Sequence, residues 1–469
     1  MYFEQFYLGC LAHASYMLAS EGEAVVVDPQ RDVEIYLKAA EEHSVTIRHI
    51  FETHLHADFV SGHKELAART GATIYMGSQA GATFPHVAVR DGFELKVGKL
   101  SIGVIETPGH TPESICLVVT DHEKNSPEEP ASPWAVLTGD TLFLGDVGRP
   151  DLSRQYSPAQ LAGMLYDSLH SKVLMLPDSV LVYPAHGAGS LCGRNMRAER
   201  SSTIGTERLT NYALQIKSME EFVKQLTANL PARPEYFSQD AEINRSGAST
   251  LSELPELPAI DALSLKARLE QGEAAVDIRS GEEFCAGHVP GSINIALSGQ
   301  FASWAGAILG LGSRPVLIGD SQDQISEARM RLARIGMENI AGYLGGGIRG
   351  WEDVGLALAK TAEIDVNELN QKLLQGKVQV LDVRREAEWE GGHIEGANWW
   401  PLDNFKISPP EIDGDLPVAV HCKGGYRSMI ACSLLQRAGF RNVINLTGGF
   451  DAWQQAKLPV ATDKPVGAR

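Results

Sequence analysis

Thr53-His54-Leu55-His56-Ala57-Asp58-Phe59-Val60-Ser61-Gly62-His63 decides how the rest of the chain is read. Ahead of it, Glu23-Ala-Val-Val-Val-Asp28-Pro and Ile47-Arg-His-Ile-Phe51 have the short apolar runs of buried strands, and residues 62–70 behind it have helical spacing. Two imidazoles and a carboxylate are thus crowded together at a strand end, where loops present chemistry. A lone His-x-His is weak evidence of a site. Here it has distant partners: Thr107-Pro-Gly-His110-Thr-Pro, Leu137-Thr-Gly-Asp140-Thr and Tyr183-Pro-Ala-His186-Gly. Each closes a short apolar run before a turn or helix. Strand-end sites that all carry His or Asp point to one shared metal.

At 469 residues the chain is too long for one core, so several domains are expected. An apolar content of 43% with 21% charged residues describes a globular protein in water. The net charge of −18 argues against nucleic acid or an anionic membrane surface as the main partner. The N-terminal residues lack a basic segment followed by an apolar one, and no run has the length of a membrane span. Cysteines 10, 116, 192, 285, 422 and 432 form no C-x-x-C pair, which suits a reducing cytoplasm.

The first domain is expected over residues 1–240, with helices near 33–43, 157–168 and 206–230 and a solvated polar loop over 121–133. A linker is expected over 241–258, where Ser-Gly-Ala-Ser-Thr and Leu-Pro-Glu-Leu-Pro occur. Two copies of one unit follow, at 259–358 and 363–465. Ala275-Val-Asp277-Ile-Arg279 corresponds to Val380-Leu-Asp382-Val-Arg384, and Gly287-His-Val-Pro-Gly to Gly392-His-Ile-Glu-Gly at the same spacing. Leu344-Gly-Gly-Gly-Ile-Arg-Gly-Trp351 corresponds to Leu446-Thr-Gly-Gly-Phe-Asp-Ala-Trp453. Strands alternate with helices in both copies, so parallel α/β sheets are expected.

The copies differ chemically. In the second, strand Val418-Ala-Val-His421 runs into Cys422, followed by Lys423-Gly424-Gly425-Tyr426-Arg427-Ser428 and a helix. A thiol there sits in a cradle of backbone N–H groups, from Gly424, Gly425, Tyr426 and Ser428, at a helix N-terminus. Such a cradle stabilises a thiolate or a persulfide anion, and Lys423 and Arg427 add positive charge for an anionic sulfur donor. In the first copy, counting at the spacing of the Leu344 and Leu446 segments puts Asp320 in place of Cys422. A carboxylate cannot act as a sulfur nucleophile, so this copy is expected to be catalytically silent.

These motifs carry a family resemblance. The first domain resembles the metallo-β-lactamase superfamily, which implies an αββα sandwich. Within it, His56-Ala-Asp-Phe-Val-Ser-Gly-His63 and Gly145-Asp-Val-Gly-Arg149-Pro-Asp-Leu resemble the persulfide dioxygenases. The two repeats resemble rhodanese domains, the second with that family's six-residue loop from Cys422 to Arg427. The whole resembles persulfide dioxygenase–rhodanese fusions with one inactive and one active rhodanese module. Dinuclear zinc hydrolases of the superfamily carry His directly after the motif Asp, whereas this chain has Phe59, so one metal per chain is implied. The resemblance assigns His54, His110 and Asp140 to iron(II), a face with positions left open for O2 and a persulfide sulfur. It makes His56, Asp58 and His186 supporting groups, with His56 as a fourth ligand left open. Arg149, Tyr183 and Cys192 are candidate pocket residues. Cys192 could relay sulfur or simply pack.

The function implied is oxidation of a low-molecular-weight thiol persulfide by O2 to sulfite, followed by sulfur transfer through Cys422 that makes or uses thiosulfate. A homo-oligomer is expected. The alternatives are a glyoxalase II-like zinc thioesterase fused to a sulfurtransferase, and a noncatalytic sulfur carrier or redox sensor.

Overall fold

The computed structural model describes residues 1–124, 132–153, 155–228, 230 and 233–462, so much of the polar loop expected over 121–133 lies outside the described residues. The chain forms two compact units, residues 1–254 with 333–336, and 255–332 with 337–469.

The first unit is built on two six-stranded sheets. One holds, in spatial order, β1 (Tyr2–Leu8), β2 (His13–Ser20), β3 (Glu23–Val27), β4 (Thr46–Glu52), β5 (Thr73–Gly77) and β6 (Val87–Val89). It is antiparallel through β3 and parallel from there on. The other sheet holds β7 (Glu94–Val97), β8 (Leu100–Glu106), β9 (Ile115–Asp121), β10 (Ala135–Gly139), β11 (Leu181–Pro184) and β12 (Ser202–Thr203), also in that order. Only β10 and β11 run parallel within it.

Alternation along the strands creates three apolar layers. Val25, Val27, Phe51, Ile102, Leu117 and Leu137 meet between the sheets. The opposite face of the first sheet, with Met17, Val26, Ile50 and Ile74, is covered by helices carrying Tyr36 and Leu66. Helices carrying Leu161, Leu165 and Phe222 cover Val136 and Val182 of the second. This is the αββα sandwich. The helix Pro158–Ser171 starts where the sequence marks it, with Ser157 and Gln160 forming a capping box. The helix expected over 206–230 is instead three pieces, Ile204–Thr210, Tyr212–Gln215 and Met219–Thr227. The first break has a local cause: Asn211 turns its side chain to cap Ala213 N–H.

The linker expected over 241–258 begins inside a helix, Phe237–Ser246. Asn244 is buried there and binds the motif loop at three points. Its amide donates to the carbonyls of His56 (2.7 Å) and Phe59 (2.8 Å) and accepts from Ser61 N–H (2.8 Å). The Gly-Ala-Ser-Thr run hid this because small polar residues read as loop, whereas one buried amide fixes the segment.

In the second unit each repeat holds a five-stranded, wholly parallel sheet, and the second repeat adds a short antiparallel pair, His393–Ile394 with Val460–Ala461. The first sheet has the order Ala259–Ile260, Gly342–Leu344, Val316–Ile318, Ala275–Asp277, Ile293–Asn294. The second has the order Ala362–Ile364, Val443–Leu446, Val418–His421, Gln379–Asp382, Asn398–Trp399. The repeats touch. Tyr426 donates to Ala296 O (2.8 Å), Arg437 to Gly291 O (2.8 Å), and Ser433 Oγ accepts from Asn294 N–H (3.1 Å).

Strand register corrects one expectation. Asp277 pairs with Ile318, and Asp382 with His421, so Ile318 and His421 are equivalent. The residue that takes the place of Cys422 is therefore Gly319, and Asp320 corresponds to Lys423. A length difference of one residue between the repeats, invisible when counting from the later glycines, accounts for the shift. The consequence for chemistry is unchanged, since glycine has no nucleophile.

Replacing Asn244 by Ala strands one buried N–H and two carbonyls, and is expected to destabilise the first unit by about 2 kcal/mol. Urea unfolding followed in that unit checks this, with an unchanged midpoint as the contrary result.

Candidate metal centre and sulfur-transfer loop

The motif residues gather at one end of the sandwich, on the turns that follow β3, β4, β8, β10 and β11. His54, His110 and Asp140 present one ligand atom each, all within 4.8 Å of one another, and all three are buried. Asp140 Oδ2 lies 3.3 Å from His110 Nε2 and 3.8 Å from His54 Nε2.

The other ring nitrogens explain why these atoms face inward. Thr53 Oγ1 donates to Asp28 Oδ2 (2.8 Å), which leaves it as acceptor for His54 Nδ1–H at 3.0 Å. Asp28 Oδ1 also accepts from Thr53 N–H (2.7 Å). His110 donates Nδ1–H to the carbonyl of Arg149 (2.9 Å). Both Nε2 lone pairs therefore point into the site, and neither Nε2 has a hydrogen-bond partner. Burial pushes both imidazoles below their ordinary pKa, which keeps those lone pairs free of protons. Orphaned, neutral nitrogens facing a buried carboxylate are a fit donor set for one divalent ion. Close backbone approach is part of the construction. A Cβ at Gly148 would lie 2.0 Å from Asp140 O and 2.8 Å from His110 Nδ1.

His186 lies behind Asp140, with Nδ1 at 2.8 and 3.0 Å from its two oxygens and Nε2 at 2.9 Å from Asp58 Oδ2. Burial opposes a charge on His186, but the two carboxylates prevail and raise its pKa well above the usual value. His186 in turn, against the effect of burial, holds Asp58 below the carboxylate range. His56 turns away from the other three, with Nε2 at 3.2 Å from Asp28 and 3.4 Å from Glu52.

Cys192 is buried with its sulfur within 4.8 Å of the Asp58 and His186 donor atoms, and burial pushes its thiol pKa up. Arg149 forms a two-pronged pair with Asp151 (2.7 and 2.9 Å) and donates to Leu191 O (3.1 Å). Tyr183 is not brought into this group: its ring packs with Phe3, Tyr16 and Trp134. Its strand partner Leu137 belongs to the core between the sheets, and Tyr183 follows it there.

Sequence reasoning passed over Asp28, Glu52, His13 and Asn244. Asp28 had a signal, a carboxylate ending the run Ala-Val-Val-Val. Its backbone is left-handed, at φ +51°, a strained setting for a non-glycine residue that marks an imposed conformation.

In the second unit Cys422 is buried at the end of its strand, just before the helix Tyr426–Arg437. Gly425 N–H donates to Cys422 Sγ at 3.1 Å, and Ser428 Oγ lies 3.8 Å from the sulfur. Gly425 takes a φ of +111°, a conformation that glycine permits and that turns its N–H inward. Lys423 is exposed. Arg427, expected to meet an anionic donor, is already paired through both terminal nitrogens with Glu388 (2.6 and 2.7 Å). The remaining cysteines have no such cradle. Burial raises the thiol of Cys116 to about 11 and that of Cys285 to about 12, and it pushes that of Cys432 well above its ordinary value.

Fold and site together define a metallo-β-lactamase-fold protein joined to rhodanese-like modules. Residues 8–124 match the metallo-β-lactamase superfamily, and residues 261–353 and 365–456 match the rhodanese-like domain. Persulfide dioxygenase ETHE1, mitochondrial, of Bos taurus is 30% identical over 215 residues, covering 45% of this chain and 73% of that protein. A hydroxyacylglutathione hydrolase of Polaromonas sp. is 32% identical over 177 residues, covering 37% of this chain and 61% of that protein. The crystal structure of a metallo-β-lactamase from Staphylococcus aureus subsp. aureus COL aligns with a TM-score of 0.66 at 34% identity, over 73% of this chain and 98% of that one. The chain belongs to the family of persulfide dioxygenase–rhodanese fusion proteins. Among the described residues no helix is long and apolar enough to cross a membrane.

Thr53→Ala removes the acceptor that orients His54 and is expected to weaken metal affinity about 10- to 100-fold. Competition with a chelator measures this. An unchanged affinity would place the orienting role elsewhere.

Proposed function

We propose that this protein is a two-stage sulfur-oxidising enzyme. The first unit oxidises a low-molecular-weight thiol persulfide with dioxygen and water, R–S–SH + O2 + H2O giving R–SH, sulfite and two protons. The second unit passes sulfane sulfur from a Cys422 persulfide to sulfite, giving thiosulfate and the free thiolate, or runs the same exchange in reverse. The observation that carries this reading is the set of three buried, inward-facing donors, two neutral imidazoles and one carboxylate, beside Phe59.

Iron(II) held by His54, His110 and Asp140 supplies the redox chemistry that allows dioxygen to react with sulfur. Thr53 and the Arg149 carbonyl fix the two imidazole planes. His186 braces Asp140 through Nδ1 and reaches Asp58 through Nε2. Phe59 is fully buried where the dinuclear hydrolases of the superfamily carry a ligand, and a phenyl ring offers no donor to a second ion. Cys192, with its sulfur beside Asp58 and His186, suits a relay of sulfur.

At the second site the nucleophile is Cys422. Gly425 N–H meets its sulfur directly, so a persulfide on Cys422 extends from an already hydrogen-bonded atom. Lys423, exposed and adjacent, supplies charge for sulfite or thiosulfate. Glu388 cancels much of the charge of Arg427 and orients it. Covalent linkage of the two units keeps sulfite produced by one at high effective concentration for the other. Six free cysteines suit a reducing cytoplasm.

Protein purified without oxygen is expected to hold about one iron per chain and to consume O2 when glutathione persulfide is added, with His110→Ala losing both. Two zinc ions per chain, no oxygen uptake and rapid thioester hydrolysis would sink the proposal in favour of a hydroxyacylglutathione hydrolase-like enzyme. Cys422→Ser is expected to abolish thiosulfate formation from added sulfite while oxygen uptake stays within about twofold of wild type, because the nucleophile belongs to the second site alone. Retention of thiosulfate formation by this variant would remove Cys422 from its role.

A further inference from the structure

His13 is fully buried, yet neither of its ring nitrogens has a hydrogen-bond partner. Buried polar side chains are nearly always paired, so an imidazole with both nitrogens unsatisfied calls for a reason. Its place in the fold supplies one. His13 opens β2, and its backbone bridges to His186. Hydrogen bonds on both sides lock that bridge: Ala14 N–H to Ala185 O (2.7 Å) and Gly187 N–H to Ala12 O (2.9 Å). Ala12, immediately before, takes the left-handed conformation at φ +52°, which a residue with a Cβ adopts at a cost. The chain is thus bent and pinned in a way that delivers this one imidazole.

The delivered ring lies among the site residues. Its centroid is 4.1 Å from that of Phe59, 5.6 Å from His56 and 5.5 Å from His186. Further buried atoms of this group lack a hydrogen-bond partner: Asp58 Oδ1, both ring nitrogens of His56, and His186 Nε2. Asp58 puts negative charge on this wall, which repels an approaching sulfur anion unless a donor faces it. His56 has Nε2 against Asp28 and Glu52, and His186 is held between Asp58 and Asp140. Among the described residues of this wall, His13 is the imidazole with neither a hydrogen bond nor a carboxylate within ion-pair distance.

We propose that His13 is a further substrate-binding residue of this site, giving an N–H hydrogen bond to the anionic sulfur of a thiol persulfide. The role rests on the persulfide reading given above. It requires no metal bond to His13 and no change in its protonation. The residue sets the affinity for substrate and its orientation beside the three donors.

The test compares wild type, His13→Phe and His13→Gln as full-length, iron-loaded proteins. Phe keeps the ring and its packing on Phe59, whereas Gln keeps an N–H donor. For H13F we expect unchanged iron content, a KM for glutathione persulfide raised about tenfold, and anaerobic binding of glutathione persulfide, read by calorimetry, weakened by a similar factor. H13Q is expected to recover to within about threefold of wild type on both readings. KM and anaerobic glutathione persulfide affinity within twofold of wild type in H13F would overturn the inference, as would equal losses in H13F and H13Q, which signify packing alone. If H13F does not fold, the H13Q comparison with wild type decides: a loss beyond threefold counts against the hydrogen bond. A wild-type protein that consumes no O2 with glutathione persulfide defeats the functional reading itself. An active wild type matched by H13F defeats only the role of His13.

Discussion

The buried carboxylate of Asp28 is the point on which the first unit turns. It accepts from the backbone and the side chain of Thr53, and by using up the Thr53 hydroxyl proton it forces that oxygen to accept from His54. One oxygen of the same group faces His56. A single side chain at the end of β3 thus decides which nitrogen His54 presents and which way His56 turns. Charge this deep is tolerable only because each carboxylate meets a donor or an imidazole. Asp28 is answered by Thr53 and His56, Asp58 by His186, and Asp140 by His186 and the two imidazoles.

That arrangement explains why His56 and His54, two residues apart, serve different ends. The two rings stay close, 4.2 Å between centroids, and it is their different partners that separate their roles. His54 meets His110 and Asp140. His56 meets the Asp28–Glu52 pair, and there it ties the loop to the sheet. Phe59 completes the division by placing a fully buried ring against His13 and His56.

The donor set and the sandwich were legible in the sequence because both rest on local patterns. Short apolar runs ending in His or Asp give the strands and their functional ends together. The Cys422 loop was legible for the same reason. What escaped depends on distant contacts. Asn244 looks like part of a linker, and its importance lies in three hydrogen bonds to a loop far away in the chain. His13 sits in Leu-Ala-His-Ala-Ser with no motif, and only the bridge to His186 brings it to the site. Tyr183 shows the converse: adjacency to Pro-Ala-His186 suggested a role, but strand register sends its ring to the core. Gly319 shows that repeats aligned on their glycines can slip by a residue that only strand pairing reveals.

The contact between Tyr426 and Ala296 has a consequence for how this chain can be taken apart. Tyr426 belongs to the sulfur-transfer loop, and its hydroxyl leans on the backbone of the repeat that lost its nucleophile. Its ring also lies where a Cβ at Gly299 would stand, 2.4 Å away. The first repeat is therefore a wall of the Cys422 loop in the second. At Gly299 any side chain would collide with that ring, whereas the contact at Ala296 uses only its backbone carbonyl. The two repeats are alike in pattern yet interlock at this loop, so the second repeat, cut away from the first, would carry Tyr426 without its hydroxyl's partner.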